Sequence, residues 1–237
     1  MKFLRRSDEN MRHRARRTVL RCIAAMPLAL PLWASARDAC CGAQSPSGLR
    51  LRRLLDSTGV EQLWLPGYQV DWQTGARTGM LPGGPDSHTH CSAFVAAAAM
   101  RLGVYILRPP DHKQDLLANA QMAWLDSAQG QSKGWSKLAG AVDAQTAANH
   151  GELVVASFRS PDPHKPGHIA IVRPSEISLP LLQKEGPMVT QAGEHNAIDV
   201  SLARGFRDHR GAWQPDGSGG VQFFAHAIDW ASVKESA

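Results

Sequence analysis

The sequence predicts an α+β domain, with a buried helix packed on an antiparallel sheet. Two observations predict the layering. An alanine-rich segment that is apolar on every face begins at Cys91, and a series of short β-branched runs separated by turns follows after Gly151. Helices therefore come first and strands afterwards, which places the helices on one side of the sheet.

In chain order, residues 1–36 come first. They hold eight of the 26 Lys/Arg and two of the 21 Asp/Glu in this 237-residue chain. The remainder has 18 basic against 19 acidic residues, so the formal charge of +5 belongs to the N-terminal segment. A near-neutral body gives no electrostatic footprint for nucleic acid. The segment itself has a basic stretch ending in Arg16-Arg17, an apolar run from Cys22 to Trp33 and then Ala34-Ser35-Ala36. That order resembles a twin-arginine export signal cleaved before Arg37. The run is short and broken by Pro27 and Pro31, which excludes a membrane span.

Residues 37–85 form a lead-in. Leu49, Leu51, Leu54 and Leu55 predict a short one-sided helix, and a turn-rich approach follows, with Gly67, Gly75, Gly79, Pro82 and Pro85. The main domain is expected over 86–237. Its first helix runs from Cys91 to about Gly103, with an N-cap from Asp86, Ser87 or Thr89. A second helix is predicted after Pro109-Pro110, capped by Asp111 and Gln114 and reaching about Gln129, and a weaker one from Ser136 to Asn149. Strands are predicted at Leu153–Phe158, His168–Val172, Met188–Gln191 and Val221–Ala227.

Cys22 leaves with the signal, so Cys40, Cys41 and Cys91 remain, too few and too uneven for a disulfide framework. Adjacent Cys40 and Cys41 can bridge each other only through a strained ring; the alternative is that one of them pairs elsewhere, and the sequence leaves their oxidation state open. Cys91 opens the buried helix, and His168 opens a strand 77 residues later. A thiol there lies at the positive end of a helix dipole, near unpaired backbone N–H groups that can also hold an oxyanion. An imidazole from the sheet would take its proton as general base. The bland alternative is a small core cysteine and a surface histidine.

Cys91-Ser92-Ala93-Phe94-Val95 followed by Gly167-His168-Ile169-Ala170-Ile171-Val172 resembles the NlpC family of papain-like cysteine peptidases, which cleave bacterial cell-wall stem peptides. Within it the likeness is to the peptidoglycan amidase effectors of type VI secretion, through Leu102-Gly103-Val104, Trp135–Ala139 and Leu153–Ala156, over roughly residues 86–228. The resemblance implies Cys91 as nucleophile, His168 as base and an amide bond after γ-D-glutamate as target. Where the family often has Asp or Asn before the Cys and Gly two after it, this chain has His90 and Ala93. Gln191 is the expected third triad member, because an amide oxygen can accept the imidazole N–H, with Glu194, His195 and Asn196 as alternatives. His90 and Ser92 are expected to touch substrate, and Trp64, Tyr68 and Trp72 either wall the cleft or pack as core. Injected effectors lack a cleavable leader, so a leader here implies a periplasmic or secreted enzyme.

No cofactor or metal is expected. The expected partners are a peptidoglycan stem peptide and a proteinaceous inhibitor, with no nucleic acid, no stable membrane insertion and a monomeric chain. Two rival functions remain. His88 and His90, completed by His164 and His168, would make a zinc hydrolase. The same fold without turnover would be a wall-binding module. Acyl transfer by the same Cys–His pair is a third outcome.

Overall fold

The computed structural model describes residues 40–82, 88–216 and 218–234. The expected export signal, and Asp86 and Ser87 as caps, lie outside the described residues. In chain order the elements are α1 (Pro46–Asp56), β1 (Tyr68–Val70), β2 (Arg77–Met80), α2 (Cys91–Arg101), α3 (Leu117–Leu125), α4 (Ala128–Ser132), β3 (Ser136–Leu138), α5 (Ala141–Asn149), β4 (Leu153–Phe158), β5 (His168–Val172), α6 (Leu179–Glu185), β6 (Met188–Gln191), β7 (Ala197–Ser201), α7 (Leu202–Gly205) and β8 (Gln222–His226).

The main sheet has six strands in the order β3-β8-β4-β5-β6-β7, every neighbouring pair antiparallel. At its centre β4 pairs with β5, Val155 facing Ile171 and Phe158 facing His168. The α+β class and the antiparallel sheet hold, but the one-sided layering does not. Leu153, Val155, Ile169, Ile171 and Phe224 pack with α1, α2 and α3 on one face. Val154, Ala156, Ala170, Val172 and Phe223 pack with α5 and α7 on the other. The reason is visible in β4 and β5, whose residues are buried at every position. A strand apolar on both faces needs cover on both.

Helix α2 forms as its composition dictates and is buried along Cys91–Ala99. Gly103, at φ +71, ends it, and the Val104 N–H closes back on the Ala99 carbonyl. Helix α1 brings Leu51 and Leu55 into the same core, and Arg173 reaches across to Asp56 to fasten it.

Two local expectations fail for identifiable reasons, and the open pairing of Cys40 and Cys41 is resolved. Asp111 does not cap a helix; it accepts the Tyr105 hydroxyl at 2.6 Å, and the helix starts later, after Leu116 in the left-handed region. The predicted helix from Ser136 splits, because Ser136–Leu138 pair with β8 and the helix starts only after Gly140. Cys40 and Cys41 bridge each other rather than a distant partner, with Cys41 at φ +76 accommodating the turn. Among the described residues no helix is long and apolar enough to cross a membrane.

Candidate active site

Cys91 is the first residue of α2. The residue before it, His90, makes no side-chain capping bond, so the first-turn N–H groups of α2 are claimed by no cap side chain. His90 instead directs Nε2 to the Tyr68 carbonyl at 2.9 Å, which fixes the β1 end against the helix entry. Burial holds its imidazole pKa below the ordinary value. Thr89 also does not cap; its hydroxyl faces the Cys91 thiol. Ser92 is buried, and its carbonyl accepts from Gln121 Nε2 at 3.1 Å.

The thiol lies against the start of β5, where the Ile169 N–H points at it together with the N–H groups of Ser92 and Cys91. Burial pushes the Cys91 pKa up, and those donors oppose the push. Cys91 and Gly167 line a cleft of about 400 Å³ that also takes in Gln69, His88, Gln114 and Asp115. Among the described residues Asp115 is the one Asp, Glu, Lys or Arg on that lining. A larger cavity, about 710 Å³, is lined by Lys137, Ala141, Trp213 and Phe223 and contains neither Cys91 nor His168. Chemistry, not size, selects the smaller one.

His168 and Ile169 leave β5 on opposite faces, as strand geometry requires. Ile169 enters the core with α2, while the His168 ring meets the edge of Phe206 at 4.5 Å and stacks on His209 at 4.9 Å and 12°. Its Nε2 bonds Gln191 Oε1 at 3.0 Å. The Gln191 amide is oriented in turn by Nε2 donating to the His195 carbonyl at 3.0 Å, so its oxygen faces the imidazole. Nε2 of His168 is then the protonated nitrogen and Nδ1 carries the free lone pair. Two glycines make room. A Cβ at Gly205 would sit 2.5 Å from Gln191 Oε1, and one at Gly193 would sit 3.2 Å from His168 Cε1.

The structure thus brings His168 and Gln191 together, and seats Cys91 beside the backbone of the residue that follows His168. Among the described residues thiol and imidazole share no hydrogen bond. Thr89 and Pro166 wall both the Cys91 cleft and the smaller cavity, about 110 Å³, that holds His168, Gln191 and His209. Of the alternative third members, Glu194 and His195 are exposed, and Asn196 is spent on the carbonyls of Val60 and Leu63. Trp64 is core, edge-on to Phe94, whereas Tyr68 and Trp72 are half-buried against it. His209 is the residue that sequence reasoning missed. No local pattern places it on the His168 ring.

The zinc reading needs His88 and His90 around one point with a further ligand. Among the described residues the one group of three ligating side chains within 4.8 Å is Glu194, His195 and Asp208, all exposed, and it includes neither histidine. A surface group of that kind does not argue for a metal.

Burial, with His209 adding to it, pushes the His168 pKa down to about 3, against the opposing effects of the Gln191 bond and Asp208. The unfolded chain takes a proton on this histidine below its ordinary value of 6.5, and the folded chain does not until about 3. The stabilisation is full above 6.5 and is lost as pH falls from there towards 3, at up to about 1.4 kcal/mol per pH unit. The unfolding temperature should therefore fall between pH 6.5 and 4, and His168→Gln should flatten that fall. An equally steep decline in the variant would assign the acid sensitivity elsewhere.

No family model matches the chain, and no curated protein matches it.

Proposed function

We propose that the chain is a peptidoglycan hydrolase that cleaves an amide bond of the stem peptide by a thiol mechanism, with Cys91 as nucleophile, His168 as base and Gln191 as its orienting partner. The observation that carries this reading is the buried His168, held in one tautomer by Gln191 and followed directly by the residue whose N–H meets the Cys91 thiol. The sequence words shared with NlpC peptidases supply the substrate class and point to the bond after γ-D-glutamate. The reading places the enzyme in the periplasm or outside the cell.

With the thiol pKa raised and the imidazole pKa lowered, the resting pair is neutral rather than a thiolate–imidazolium pair. Proton transfer then accompanies attack. His168 Nδ1 takes the thiol proton as sulfur bonds to the amide carbon, and the oxyanion meets the N–H groups at the start of α2. The tetrahedral species collapses, the C–N bond breaks, and His168 gives its proton to the leaving amine. Water, deprotonated by the same nitrogen, hydrolyses the thioester to a carboxylic acid and restores the thiol. Thiol and imidazole must close on each other for this, a tightening that substrate commonly brings about.

Incubation of the full chain with purified muropeptides, followed by mass spectrometry, tests the reading. It should release fragments cut at one amide bond, each cleavage adding one water across the new carboxyl and amine ends. Intact muropeptides after prolonged incubation would instead favour the wall-binding reading, and fragments joined to an added amine would favour acyl transfer.

A further inference from the structure

At the far end of α2, about 15 Å along its axis from Cys91 at 1.5 Å per residue, the chain gathers positive charge around a second cavity. Arg53 of α1, Arg101 of α2 and Lys234 of the C-terminal stretch line it, with Arg50 at its edge. The volume is about 290 Å³, and its floor is Leu54, Trp230 and Val233. Among the described residues no Asp or Glu lines it.

Two features set this cluster apart from ordinary surface charge. The body outside residues 1–36 has 18 basic and 19 acidic residues, so four basic groups on one small cavity are not a reflection of net charge. Ion pairs elsewhere in the chain take up Lys137, Arg173, Lys184 and Arg207. Among the described residues Arg53, Arg101 and Lys234 make none; Arg101 reaches only the Ser57 hydroxyl, at 3.4 Å. Arg50 has a different task, donating to the carbonyls of Trp230 and Val233 at 2.7 and 3.1 Å while lying over the Trp230 ring. It thereby holds the C-terminal stretch, and Lys234 with it, against α1. Arg53 and Arg101 lie in the last turns of α1 and α2, where a cation complements the helix dipole. One cation per helix end meets that need; converging on a shared cavity and joined by Lys234, they do more.

We propose that this cavity binds an oxyanion, a carboxylate or phosphate group, through Arg53, Arg101 and Lys234, with the apolar floor carrying the body of the molecule. Guanidinium groups match both anions in planar, two-point geometry, and an ammonium adds a point charge. The site stands apart from the Cys91 cleft and does not rest on the chemistry proposed there.

Calorimetric titration of the full chain at low ionic strength tests it with two probes, inorganic pyrophosphate for phosphate and citrate for carboxylate. At least one should bind saturably, and rising salt should weaken it. Arg53→Gln combined with Arg101→Gln should lower the affinity at least tenfold, while the unfolding temperature drops only by the few degrees that two lost helix-end cations cost. Arg159→Gln combined with Arg210→Gln removes equal charge from exposed positions outside the cavity and should leave the affinity within twofold. The proposal is overturned if neither probe binds saturably, if the cavity variant binds as the parent does, or if the control pair loses as much as the cavity pair.

Discussion

Cys91→Ala is expected to abolish fragment release from peptidoglycan, by at least about a thousandfold, while the protein unfolds within a few degrees of the parent. The two halves of that expectation have separate physical sources. A thiol mechanism has no substitute for its sulfur, so the remaining donors at the start of α2 can supply only residual stabilisation of the oxyanion. The stability cost is small because alanine keeps the Cβ and removes one atom from a core already dense with alanines on α2, about 1 kcal/mol. Cys91→Ser is the sharper companion. It preserves polarity and nearly the volume, yet its hydroxyl gives up a proton far less readily to a base held near pKa 3. Both variants should still fold and still bind wall fragments. A parent rate in either one would remove the sulfur from the chemistry, whatever the geometry around it.

How much of this was legible beforehand divides along the range of the interactions involved. Helix α2, strands β4 and β5 and the terminal β8 were readable because composition and period dictate them locally. Cys91 and His168 stood at the ends of those elements for the same reason. Gln191 was readable as chemistry, since only a side chain with an acceptor oxygen fits beside an imidazole N–H, and the 3.0 Å bond agrees. His209 was not, because its position depends on Phe206 and His168 meeting across α7 and β5. The second helical layer was missed although the signal existed: a strand such as Leu153–Phe158 with no polar position cannot have a wet face. Strand β7 carries no period to read; its residues Ala197–Ser201 are half-buried or exposed, and pairing with β6 alone defines them.

The largest loss of stability is expected at Asn149, which looks unremarkable in sequence at the end of α5. Its side chain is fully buried and nearly every polar atom on it is used. Nδ2 donates to the carbonyls of Gly42 and Ser175, both at 3.0 Å, and Oδ1 accepts from the Ser175 N–H at 2.9 Å and from Gln145 Nε2 at 3.0 Å. Its own carbonyl receives the Ser45 N–H at 2.9 Å, so this one residue ties the lead-in behind the Cys40–Cys41 bridge to α5 and to the segment after β5. Asn149→Ala removes the side chain and takes a partner from the buried Gln145 amide, from the half-buried N–H and carbonyl of Ser175 and from the Gly42 carbonyl, at about 1–3 kcal/mol for each group left both buried and unpaired. Some will find water, so a net loss of about 3 kcal/mol is expected. For a domain of this size that is roughly 6–12 °C in unfolding temperature. Asn149→Asp should not rescue it, because a carboxylate has no N–H to offer two carbonyls and would bring a charge into the same enclosed space. Limited proteolysis of Asn149→Ala should cut first near residues 40–45, the stretch that loses its anchor, while Gln191 and His168 keep their bond and turnover at low temperature persists. A change in unfolding temperature of less than about 2 °C would mean that the lead-in is held by its disulfide turn and α1, and not by this amide.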